Sequence, residues 1–130
     1  MEERPRIRFL SLFVPDLESA ARRYEAVFGV RRRPGADGAP RDHPYAAAGP
    51  VVLDLGPVEL ALYQCDGRTT HPGDVGIGVE LDGPPAALGR RAAEQGGRVF
   101  FGPAARGADG RELCVLVLPE RHFFEVVGPR

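Results

Sequence analysis

The stretch Ile7-Arg-Phe-Leu-Ser-Leu-Phe-Val-Pro-Asp-Leu-Glu-Ser-Ala-Ala-Arg-Arg-Tyr-Glu-Ala-Val-Phe-Gly29 reads as a strand running straight into a capped helix. From Arg6 to Val14, Leu10, Leu12 and Val14 fall on one face and Ile7, Phe9, Ser11 and Phe13 on the other. Both faces are largely apolar, so both are expected to be covered. Asp16 is a good N-cap, Glu18 places a carboxylate in the first turn, and Gly29 is a good C-terminal stop. Leu17, Ala20, Ala21, Tyr24 and Phe28 form an apolar stripe at helical spacing. Glu18 lies one turn from Arg22 on the opposite side, where the two can pair.

Working outward, breaker residues divide the rest into short elements. Val30–Pro34 reads as a short strand and 35–44 as a loop. Val51–Leu55 and Val58–Gln64 are strands around a Gly56-Pro57 turn, followed by a polar connector to Asp74. Val75–Leu81 is a strand, Pro84–Gln95 a helix stopped by Gly96-Gly97, and Arg98–Phe101, Glu112–Leu118 and Phe123–Val127 are strands. Gly102–Gly110 reads as a loop. The order strand, helix, three strands occurs twice. Ala20 and Tyr24 match Leu88 and Ala92, Arg22-Arg23 matches Arg90-Arg91, and Phe28-Gly29 matches Gly96-Gly97, at one offset.

The expectation is an α+β fold. It has one domain over residues 1–130, built from two βαβββ modules at about 6–64 and 74–128, whose curved mixed sheets surround a concave cup. With Leu10, Leu12, Val14, Leu60, Leu62, Ile77, Val79, Leu81, Phe124 and Val126 against the helices, a second set faces the concavity. That set is Phe9, Ser11, Phe13, Glu59, Ala61, Tyr63, Gly76, Gly78, Glu80, Phe123 and Glu125. A largely apolar concave surface with a few polar groups suits a small molecule.

Composition narrows the function classes. The chain has 130 residues, is 43% hydrophobic and 27% charged, and carries a net charge of −1. That balance argues against nucleic acid and an anionic membrane as partners. No apolar run approaches the roughly 20 residues of a spanning helix. The first residues, Met-Glu-Glu-Arg-Pro, lack the basic-then-apolar pattern of a signal peptide. Cys65 and Cys114 make no disulfide framework, and a cytoplasmic location is expected.

Three segments carry a resemblance. They are Leu12-Phe13-Val14-Pro15-Asp16-Leu17-Glu18-Ser19-Ala20 with Tyr24 and Phe28-Gly29; Gly73-Asp74-Val75-Gly76-Ile77-Gly78-Val79-Glu80; and Pro119-Glu120-Arg121-His122-Phe123-Phe124-Glu125-Val126-Val127. On these the chain resembles the vicinal oxygen chelate superfamily, which includes glyoxalases, bleomycin-resistance proteins and extradiol dioxygenases. The last segment is similar to the family's Pro-Asp-Gly-Asn turn and the Glu-bearing strand after it.

The resemblance implies four strand positions for a divalent metal, usually His or Gln, Glu, His and Glu. Here they fall on Phe9, Ala61, Gly76 and Glu125. Only Glu125 can ligate, whereas a catalytic metal of this kind needs about three protein donors. No metal and no other cofactor is therefore expected. His43, His71 and His122 read first as solvated loop histidines, with His71 or His122 the alternatives for an unorthodox metal site. Phe9, Phe13, Tyr63 and Phe123 can stack on a planar ligand or pack as plain core. Ser11, Glu59, Ala61 and Gly76 complete the expected ligand wall, and Tyr45 stands in a loop that could cover it.

The leading expectation is a bleomycin-resistance-like binder of a hydrophobic or aromatic metabolite or antibiotic. The alternative is a lyase, isomerase or dioxygenase of the same superfamily, with Glu125 as a catalytic base or with an unorthodox metal site. A homodimer is expected, since the family completes open sheet edges with a second copy.

Overall fold

The computed structural model describes residues 4–34, 46–65, 74–106 and 110–129. It holds seven strands and two helices: β1 (Arg6–Val14), α1 (Leu17–Phe28), β2 (Ala46–Leu55), β3 (Val58–Cys65), β4 (Val75–Glu80), α2 (Pro85–Glu94), β5 (Arg98–Arg106), β6 (Arg111–Val117) and β7 (Phe123–Pro129). This is the expected mixed α+β architecture. No helix among the described residues is long and apolar enough to cross a membrane.

The chain packs as two compact units, Phe9–Val75 and Met1–Arg8 with Gly76–Arg130. In the first, the strand order is β2-β3-β1, with β3 parallel to β1 and antiparallel to β2. In the second it is β4-β7-β6-β5, with β7 parallel to β4. Both begin with a strand and a helix and return a parallel strand to the first, which is the repeat seen in the sequence.

Helix α1 forms as its end signals predict. The Asp16 side chain accepts from the Ser19 N–H at 3.1 Å, and Gly29, at φ 67°, closes the last turn by donating to the Glu25 carbonyl at 2.9 Å. A further anchor comes from β3. Gln64 Oε1 accepts from the Leu17 N–H at 2.8 Å, and Gln64 Nε2 donates to the Pro15 carbonyl. The helix-facing assignment holds in both units for every residue but Val14, which is part of neither core. Ala21, Leu53, Leu60 and Leu62 form one core, with Leu10, Leu12, Leu17 and Tyr24 against it. Val79, Leu81, Ala92, Cys114, Leu116 and Val126 form the other, with Ile77, Leu88 and Phe124 packed on it.

Several expectations need correction. Phe28 ends the predicted stripe but is 53% exposed. Glu18 pairs not with Arg22 but with Arg32, which the chain brings back beside α1. The predicted strand Val30–Pro34 shrinks to a single bridge between Arg32 and Leu53. Conversely, β2 starts five residues early, at Ala46 rather than Val51, and β5 runs through the expected loop to Arg106. Both extensions cross a Gly-Pro pair, Gly49-Pro50 and Gly102-Pro103, that reads as a breaker in the sequence. The register of each strand shifts at its pair. A bulge on a strand at the end of its unit's order tolerates proline's missing donor and glycine's positive φ, so the strand continues. Gly102 is required for a second reason: a Cβ there would stand 2.4 Å from the Leu113 carbonyl oxygen.

Candidate functional site

The face turned away from the helix differs between the units. In the first, Phe9, Ser11 and Phe13 project from β1, and the register sets Ala61 opposite Ser11 and Tyr63 opposite Phe13. The Phe13 and Tyr63 rings stack with centroids 5.7 Å apart and planes 21° apart. Val52 of β2 lies opposite Ala61, extending the row Val52, Ala61, Ser11. All of these side chains are buried, and the Ser11 hydroxyl, with an apolar residue opposite and an aromatic residue two positions away on either side, has no hydrogen-bond partner among the described residues.

In the second unit the equivalent row is Val115, Glu125, Gly78, with Phe123 opposite Gly76 on the neighbouring pair. Phe123 and Glu125 are fully enclosed. A Cβ on residue 76 would stand 2.6 Å from Phe123 Cε2 and 2.7 Å from Glu125 Oε1. The aromatic ring and the carboxylate thus occupy the space that any side chain at position 76 would need. Ser11 and Glu125 are the two fully buried polar side chains among the described residues, one on the inner face of each unit.

The other carboxylates expected on this face are held by arginines. Glu59 pairs with Arg33, which also holds Asp54. Glu80 accepts from Arg6 at 2.8 Å and from Arg111 at 3.3 Å. Those bonds, the Arg6 bond foremost, hold its carboxyl below the usual carboxylate range. Both acids are therefore structural ion-pair members here. His122 is exposed in the turn before β7. Tyr45, His43 and His71 lie outside the described residues.

The residues at the superfamily's metal positions do not fit a divalent ion. Phe9 lies opposite Glu59, with Ala61 two residues further along β3, and Gly76 lies opposite Phe123, with Glu125 two residues further along β7, so the same offset recurs in each unit. Three of the four positions lack a donor atom, and the space at Gly76 is filled. Among the described residues no group of three or more His, Cys, Asp or Glu side chains comes together.

Val52, Leu113 and Val115 were not assigned to these inner faces from the sequence, whereas Val127, which alternation sets on the same face as Phe123 and Glu125, is buried there. The period-two alternation of β2 and β6 was the available signal.

Comparison with solved structures places this fold among known ones. A hypothetical protein from Bacillus halodurans matches with a TM-score of 0.68 at 12% identity, covering 97% of this chain and 95% of its own. Methylmalonyl-CoA epimerase from Mycobacterium tuberculosis matches with a TM-score of 0.63 at 16% identity, covering 95% of this chain and 87% of its own. Methylmalonyl-CoA epimerase from Streptomyces coelicolor, in complex with 2-nitronate-propionyl-CoA, matches with a TM-score of 0.65 at 17% identity, covering 95% and 96%. The chain has the vicinal oxygen chelate fold. At these identities the likeness extends to the fold and not to the chemistry. No family model matches the sequence, and no curated protein sequence matches it.

Proposed function

We propose that this protein binds a small hydrophobic or aromatic molecule on the inner face of a unit, without the divalent metal that the superfamily resemblance implies. One observation carries the reading. The positions that would hold the metal are Phe9, Ala61 and Gly76, and the space beside the remaining carboxylate is taken up by Phe123. Loss of donors together with gain of aromatic surface suits apolar recognition better than Lewis-acid chemistry. In the first unit Phe9, Phe13 and Tyr63 supply the apolar surface and Ser11 the polar group; in the second unit Phe123 and Glu125 take those roles.

Because these side chains are buried in the free chain, a ligand must separate them to enter, so association is slower than the diffusional encounter rate. Thermal denaturation with a panel of planar aromatic compounds tests the reading. A binder melts several degrees higher with a compound that is recovered unchanged, since saturation at about a hundred times Kd adds about 2.7 kcal/mol. A panel that leaves the melting temperature untouched contradicts it.

A second reading rests on Glu125, a carboxylate buried on an inner face in a fold shared with epimerases. Here the chain is a metal-free isomerase or lyase with Glu125 as the base. Turnover of a small carbonyl substrate that disappears in Glu125→Gln, with the melting temperature retained, would favour it over the binder. A homodimer in the cytoplasm belongs to either reading. A monomer by light scattering at micromolar concentration contradicts the dimer.

A further inference from the structure

We infer that the Ser11 hydroxyl is the ligand's hydrogen-bond anchor, and that the ligand is a planar apolar molecule carrying a carbonyl or similar acceptor oxygen. The inference rests on the binding reading above and adds the polar feature of the ligand. Ser11 lies on the inner face of β1 between Phe9 and Phe13, with the Ala61 methyl opposite. It is fully buried, and its Oγ has no hydrogen-bond partner among the described residues. Buried hydroxyls are almost always satisfied, because leaving one unpaired forfeits its bonds to water. An unsatisfied hydroxyl in an aromatic wall is therefore explained by a partner that arrives with the ligand. The hydroxyl can donate to a carbonyl oxygen while the Phe13 and Tyr63 rings meet the ligand's flat body. Exclusion of water makes that single bond discriminating, as an acceptor-free analogue leaves the hydroxyl unpaired.

The test compares 1-indanone with indane, which differ by the carbonyl oxygen, by calorimetric titration of the wild-type chain and of Ser11→Ala. The wild type should bind 1-indanone about tenfold more tightly than indane, the worth of one buried hydrogen bond. Ser11→Ala should bind the two equally and melt no lower than the wild type. A wild type that binds both compounds equally, or a Ser11→Ala variant that keeps the preference, overturns the anchor and leaves the binding reading standing. A Ser11→Ala variant that melts lower shows that the hydroxyl already has a partner, and this too overturns the anchor. If the wild type binds neither compound, the anchor and the aromatic-binding reading both fail.

Discussion

Position 76 shows how one residue sets the chemistry of its surroundings. With hydrogen in place of a side chain, Gly76 lets the Phe123 ring and the Glu125 carboxylate close over β4. Gly76→Ala would put a methyl within 2.7 Å of both, and in a packed interior one of them must move. The expected loss is about 1–3 kcal/mol by urea denaturation. In a Phe123→Ala background the same change should lose less, because the obstructing ring is gone; equal losses in the two backgrounds would show that the ring is not what fills the space. The sequence made Gly76 and Glu125 legible as a pair of positions through the resemblance. It could not show that Phe123 and Glu125 converge on the glycine, since that depends on the register of β4 against β7, two strands far apart in the chain.

At the scale of elements, the ionic links at the α1 end give a pH signature. Hydrogen bonds from Arg32 hold the Glu18 and Glu25 carboxyls below the ordinary value of 4.5. A carboxyl whose folded value is depressed stabilises the fold above its unfolded value, and that contribution is lost as pH falls through the folded one. The urea midpoint of the wild type should therefore exceed that of Arg32→Met at neutral pH, with the gap narrowing as pH falls below 4.5. A gap unchanged by pH would assign Arg32 to packing. Helix α1 was legible to within a residue because its signals are local: Asp16 at one end, Gly29 at the other and a stripe between. The Arg32 partners were not, because Glu18 and Glu25 meet it only after the chain turns back. Strands β2 and β5 were underestimated for the opposite reason, since Gly-Pro signals a break locally while the strand pairing spans it.

For the whole molecule, repetition was the informative signal. Two passes through strand, helix and returning strands gave the fold class from residue spacing alone, and the solved structures share it. The inner faces were legible as faces, because alternation assigns every second residue. Their condition was not: alternation says which way Glu59 and Glu80 point, but the arginines that hold them come from β1, β6 and the segment after α1. On the proposed reading the chain has the fold but holds no divalent metal at Phe9, Ala61, Gly76 and Glu125. Elemental analysis of untagged protein, after exposure to Fe(II), Mn(II), Ni(II) and Zn(II) and removal of excess ion, addresses it directly. Retention far below one metal per chain is the predicted result. Near-stoichiometric retention would contradict the claim, and Glu125 would then have to be one of several ligands drawn from residues such as His71 or His122.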